Sequence, residues 1–283
     1  MIKGIGQSAR EATKIFRTFE DGVPNLIPTG LPGVDRAMGG LFPGSAAILA
    51  ASQGSGKSST ALAALFAVSD REPVGYISLE DTEDVVGSRA ISVVSGINSL
   101  DLRRKVGLTD DVKASIEAAQ AMLDKRPIHI AYAIGAGVER VTDHIRELGA
   151  IGCRMVYVDY IQKIRDQGGD RRNAISGAFS AMQAAAADSG CALVVISQFR
   201  RTGKQDGAIP QISWLKESGD LENEARLIIL MYRDSHNIIR ARIAKSTFGG
   251  EGTTFQMVRD ESGTLREVNI PYKEPDEQPF NPF

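Results

Sequence analysis

ASQGSGKSS, residues 51–59, follows the apolar run AAILA (46–50) and runs into ALAALFAV (61–68). A strand, a glycine-rich bend and a helix in that order form a phosphate cradle, the P-loop pattern, here with Ala51 in place of the first glycine. Gly54 and Gly56 let the backbone curl so that its N–H groups face a phosphate, and the helix beginning near Lys57 adds its positive end. Lys57 is positioned to reach β- and γ-phosphates and Ser58 to ligate magnesium. Gln53, Gly54, Ser55, Gly56, Lys57, Ser58 and Ser59 are therefore the candidate nucleotide-binding residues. The plain alternative is a chance glycine-rich turn, and the strand–turn–helix setting argues against it.

Working outward, apolar runs at 46–51, 74–79, 128–131, 155–158 and 193–196 alternate with helical patterns near 57–69, 83–95, 111–124, 137–149 and 172–189. Continuous apolar strands separated by helices predict an α/β fold with a mostly parallel central sheet flanked by helices. The runs at 227–231, 238–244 and 253–258 are separated by short turns and read as a final, partly antiparallel strand group.

Three strand ends carry polar residues. Asp159 ends MVYV, and an acid at the C-terminal end of a parallel strand sits where ligands bind. Its expected role is to hold magnesium through water; alone it would also serve as a helix N-cap. Glu80 ends VGYISL in the same way and is the candidate for orienting the attacking water, with Asp81 and Glu83 as competitors. Gln198 follows LVVIS, where an amide can sense a γ-phosphate or simply face solvent.

After Gln198 comes FRRTGKQDGAIPQISWLKESGD, a loop composition with Arg200, Arg201 and Lys204 close together. Basic loop residues suit a nucleic-acid backbone, and equally a solvated surface. Trp214 suits base stacking or packing. Lys245, near the end of a late strand, suits either an arginine-finger role or the surface.

The chain has 283 residues, 42% apolar and 24% charged, with formal charge −2. It is not a bulk polycation, so contact with nucleic acid must be local. Cys153 and Cys191 lie beside apolar runs and read as small buried side chains. No Cys/His spacing suggests a structural metal. No run approaches the ~20 apolar residues of a membrane helix, and the first residues lack a signal-peptide apolar core. A cytoplasmic, reducing location is the expectation. Residues 8–20 read as an amphipathic helix on an arm (1–25), and the acidic, proline- and phenylalanine-bearing end (271–283) has the composition of a disordered tail.

The order of these pieces resembles the ATPase domain of the DnaB-type replicative helicases, a RecA-like fold, over roughly residues 8–268. PTGLPGVDRAMGGLFPG resembles that family's lead-in segment, shared with RadA- and KaiC-like proteins. YISLED is similar to its catalytic-glutamate strand (Glu80), MVYVDYIQKI to its magnesium strand (Asp159) and ISQFRR to its sensor segment SQLNR (Gln198). WLKESGDLENEARLIILMYRD is similar to its LRESG…YRD run, the most specific match. The resemblance implies ATP and Mg2+ as cofactors, single-stranded DNA contacted by Lys216, Glu217 and Gly219, and 5′ to 3′ movement. It implies a 26–270 catalytic domain and a homohexamer closed by the linker helix. AKSTFGG is similar to the finger segment KxR, giving Lys245 the finger's lysine. Thr247 stands where the family has arginine: Lys245 alone suffices, Arg242 or Arg240 substitutes, or the ATPase is slow. Family members carry a further domain before the linker; the short chain resembles a phage or mobile-element form. Its tail resembles those that recruit replication proteins. A RadA- or KaiC-like ATPase without unwinding activity is the alternative.

Overall fold

The computed structural model describes residues 5, 7, 26–104, 109–165, 168, 170–199, 208–215 and 221–268. The arm helix expected at 8–20 and the tail at 271–283 lie outside the described residues, as do Arg200, Arg201, Lys204, Lys216, Glu217 and Gly219.

The lead-in segment carries α1 (Pro32–Met38), followed by β1 (Ala46–Ala51), α2 (Lys57–Val68), β2 (Val74–Ser78) and α3 (Glu83–Ser95). Next come α4 (Ser99–Arg104), α5 (Asp110–Leu123), β3 (Ile128–Tyr132), α6 (Val138–Ala150) and β4 (Met155–Asp159). A 3-10 turn (Ile161–Lys163) leads to α7 (Arg171–Ser189) and β5 (Ala192–Gln198), and a second (Ile212–Trp214) to α8 (Leu221–Glu224). The chain closes with β6 (Leu227–Arg233), β7 (Ile239–Ser246), β8 (Thr254–Arg259) and β9 (Leu265–Val268). Among the described residues these strands form one nine-stranded sheet in the order β3-β2-β4-β5-β1-β6-β7-β8-β9. Pairing is parallel from β3 to β6 and antiparallel from β6 to β9.

Side chains alternate across a strand, so each inner strand feeds two cores. Ala47, Leu49 and Ala51 of β1 join Ala61, Leu65 and Val68 of α2 on one face. Ala46, Ile48 and Ala50 join Ile145 and Leu148 of α6 and Phe179 and Met182 of α7 on the other. This double burial is why β1, β4 and β5 read as unbroken apolar runs rather than alternating ones. Strand β3 departs from that expectation. It is the sheet edge, with Ile130 and Tyr132 at 36% and 38% exposure, so only β2 flanks it. The short β9 was not expected from its sequence.

The lead-in segment is bolted to the core by polar contacts. Asp35 accepts hydrogen bonds from the Thr29 N–H and hydroxyl (2.8 and 2.7 Å) and from the Gly30 N–H (3.0 Å). Burial, foremost, raises the pKa of Asp35 against these bonds. The buried Tyr157 hydroxyl donates to the Thr29 carbonyl at 2.7 Å. Cys153 and Cys191 are buried free thiols, as their flanking runs suggest, and burial pushes their pKa values up to about 12 and about 11. No helix among the described residues is long and apolar enough to cross a membrane.

Candidate functional site

Strand register gathers the polar strand ends on one sheet edge. Ala51 of β1 pairs with Gln198 of β5, and Ser78 of β2 with Asp159 of β4. Because β5 lies between β1 and β4, the bend after β1, the acid ending β4, the amide ending β5 and Glu80 beyond β2 all open on that edge.

The bend at 52–56 takes left-handed backbone at Gly54 (φ 74°) and Gly56 (φ 96°). A Cβ at Gly54 would meet nothing within 4 Å, so conformation rather than crowding requires glycine there. Helix α2 starts at once, with Gly56 as its N-cap and no capping side chain. Its first-turn N–H groups are thereby left for an anion. Lys57 is 7% exposed and its Nζ folds onto the Ser52 carbonyl at 2.9 Å, an oxygen that also accepts from Ser55 Oγ at 2.7 Å. Burial lowers the pKa of Lys57, and the carboxylates of Asp159 and Glu80 oppose that shift.

Asp159 is 3% exposed. Its Oδ2 accepts from the buried Tyr76 hydroxyl at 2.6 Å, while among the described residues its Oδ1 has no hydrogen-bond partner. Burial pushes its pKa up; the hydrogen bond from Tyr76, the nearby Ser58 hydroxyl and the charges of Lys57 and Arg89 pull the other way. A buried carboxylate oxygen without a donor costs stability until a cation or donor reaches it. The donor set of one carboxylate and one hydroxyl suits magnesium, which takes a few protein oxygens and completes its shell with water and phosphate. The residues present therefore fit a nucleotide with magnesium. No group of three or more His, Cys, Asp or Glu able to hold a metal occurs among the described residues.

Glu80 is exposed and lies 2.9 Å, Oε1 to Nζ, from Lys163. Its two competitors are otherwise placed. Asp81 is ion-paired with Arg89, and Glu83 sits in the first turn of α3 behind the N-cap Thr82. Of the three, Glu80 is the one whose charge acts on Lys57. Gln198 donates its backbone N–H to Gln162 Oε1 at 3.2 Å, and its side chain is hydrogen-bonded to the Tyr160 hydroxyl. The next residue, Phe199, forms an antiparallel bridge with Leu215.

Lys245 is not part of this gathering. It pairs in register with Ile228, at the start of β6, which is the opposite edge of the sheet from the bend. Its Nζ is bonded to the carbonyls of Glu222 and Asn223. Arg240 is paired with Asp234 at 2.9 Å in the β6–β7 turn.

Three contributors escaped the sequence. Nothing in the sequence singles out Tyr76 or Lys163. Arg259, at the end of β8, donates from Nη2 to the Ser55 carbonyl at 3.1 Å and from Nη1 to the Gly263 carbonyl at 2.6 Å. It braces the bend from 204 positions away, and no local signal marks it.

A family model described as the DnaB-like helicase C terminal domain matches residues 26–278. Among curated relatives, the replicative DNA helicase DnaB of Geobacillus stearothermophilus is 29% identical over 248 residues, 82% of this chain and 54% of that protein. The replicative DNA helicase DnaC of Bacillus subtilis (strain 168) is 28% identical over 242 residues, 80% of this chain and 53% of its own. The chain thus spans about half the length of these relatives. The solved ATPase domain of G40P superposes with a TM-score of 0.83 at 24% identity, covering 96% of this chain and all of that one. The structure of a DnaB-like replicative helicase, solved to describe its interactions with primase, gives a TM-score of 0.79 at 24% identity, covering 94% of this chain and 67% of that one. At that identity these two carry the fold, a RecA-like P-loop architecture.

Proposed function

Since this chain belongs to the DnaB-like helicase C-terminal domain family, we propose that it is an ATP-hydrolysing motor of a ring-forming helicase that moves on single-stranded DNA. The observation that carries the reading is the convergence of Lys57, Ser58, Asp159, Glu80 and Gln198 on one sheet edge, with a buried Asp159 oxygen awaiting a partner. The 26–270 segment is the catalytic unit in this reading.

The bend's N–H groups and the α2 N-terminus receive the phosphates, and Lys57 swings from the Ser52 carbonyl to their outer oxygens. Ser58 and Asp159 would hold magnesium, which supplies charge neutralisation at the phosphates. Glu80 orients water and takes its proton. Gln198 reads the state of the γ-phosphate and passes it to the segment that follows. In that segment Arg200, Arg201, Lys204, Lys216, Glu217 and Gly219 are assigned to the strand's backbone, which predicts weak sequence preference and affinity that falls with salt. Lys245 stands a sheet's height from its own bend, a placement that suits service at a neighbouring subunit's site and hence the proposed homohexamer. The arm at 1–25 would close that ring, and the tail would recruit a replication protein.

Thr247 at the finger's arginine position, with Arg240 already paired to Asp234, favours one rival: an ATPase of the same core that remodels without unwinding. Hydrolysis with and without oligonucleotide, together with displacement of a forked duplex, separates the two. Glu80→Gln should lower turnover by about 10²–10⁴ while nucleotide still binds. ATPase stimulated by single strands without displacement supports the rival, and wild-type turnover equal to that of Glu80→Gln refutes both.

A further inference from the structure

We propose that Lys163 is a positioning residue that holds Glu80 in a resting state and releases it when single-stranded DNA binding shifts Gln198 at the end of β5. This rests on the ATPase reading above.

The geometry is continuous from strand to base. Lys163 Nζ lies 2.9 Å from Glu80 Oε1 and above the ring of Tyr160, 5.7 Å from its centroid. Lys163 is also hydrogen-bonded to the Tyr160 hydroxyl, which is bonded in turn to Gln198. Gln162 ties the same turn to the end of β5 twice: its Nε2 donates to Ser197 Oγ at 2.8 Å, and its Oε1 accepts from the Gln198 N–H at 3.2 Å. Phe199, the next residue, is bridged to Leu215. The turn Ile161–Lys163 is therefore fixed to β5 on one side and to Glu80 on the other. In this proposal a displacement of Gln198 is passed through Gln162 to the turn that carries Lys163.

The chemistry of the pair gives the direction. An ammonium on Oε1 neutralises the charge that makes the carboxylate a proton acceptor, and it occupies an oxygen that water would use. The pair is half exposed, at 40% and 46% for the two side chains. Solvent screening limits such a contact to about 1 kcal/mol, about fivefold in a rate. That is enough to hold a fraction of the molecules at rest and weak enough for DNA binding to undo. A buried pair would lock the site.

The test compares full-length wild type, Lys163→Met and Lys163→Arg, with Glu80→Gln as background. Lys163→Met should raise kcat for ATP without DNA by roughly threefold to fivefold. It should leave kcat with oligo(dT) and KM for ATP unchanged, so that stimulation by DNA shrinks; Lys163→Arg should restore it. A second readout needs no turnover. In protein whose lysines carry 13C-methyl groups, the signal deleted by Lys163→Met should shift in Glu80→Gln. In wild type it should move to that same position on adding oligo(dT) without nucleotide. An unchanged stimulation ratio, a Lys163→Met protein slower in both conditions, or a methyl signal indifferent to Glu80→Gln overturns the latch while the ATPase reading stands. Wild-type hydrolysis that ignores oligonucleotide overturns the coupling. Wild-type turnover no higher than that of Glu80→Gln overturns the ATPase reading and the latch with it.

Discussion

Replacing Tyr76 with phenylalanine removes one buried oxygen and leaves the ring in place. That oxygen donates at 2.6 Å to Oδ2 of Asp159, whose Oδ1 already lacks a partner among the described residues. Both residues are almost wholly shielded from water, at 0% and 3% exposure, so no solvent molecule can readily replace the lost donor. A hydrogen bond to a charged group contributes about 1.5–3 kcal/mol. For a domain of this size each kcal/mol moves Tm by about 2–4 °C, so the substitution should lower Tm by roughly 3–12 °C without nucleotide. The effect has a sign in pH. The hydroxyl favours the ionised carboxylate, whereas burial raises the pKa of Asp159 above its ordinary 3.8. Removing the donor raises it further. The deficit is therefore complete where wild-type Asp159 is ionised and shrinks as pH falls through its raised pKa, because a protonated carboxyl needs the donor less. Thermal melts of both proteins from pH 8 downward read this directly. No deficit at pH 8, or one that grows on acidification, refutes the account of Asp159 as a charged, under-partnered group.

Asp159→Asn should move stability the other way. The folded-state pKa is raised, so the ionised form costs stability that is lost as pH rises from 3.8 through that raised value. The amide should gain on the order of 1–2 kcal/mol at pH 7–8, read as a higher Tm, while magnesium-dependent hydrolysis falls to background. Arg259→Ala removes the brace on the Ser55 carbonyl. It should raise KM for ATP by about fivefold, with kcat held within about twofold, because the group shapes the bend rather than the reacting atoms.

The site was legible in sequence where its chemistry is local. The bend at 52–56 announces itself by a strand before it and a helix after it. Asp159, Glu80 and Gln198 announce themselves as polar residues ending apolar runs, and parallel register does the rest by bringing those ends to one edge. What tunes these residues was not legible. Tyr76 meets Asp159 across 83 positions, and Arg259 meets Ser55 across 204. Such contacts are created by strand order, which no pattern of spacing encodes. Lys163 lies only four residues beyond Asp159, yet its partner lies beyond a different strand, so nothing local marks it. The fold shows the same division. Inner strands were visible as doubly buried runs and β3 as the run at 128–131, though its half-exposed side chains mark an edge; the four-residue β9 carried too little apolar signal.

The lead-in segment has a mechanical consequence. Ile27 is stapled to Leu41 by a two-residue bridge, and two positions on the Thr29 carbonyl is gripped by Tyr157, which sits on the very strand that ends in Asp159. The lead-in segment is thus tied to that strand two residues short of the carboxylate. A shift of that segment would therefore load the strand that positions the acid.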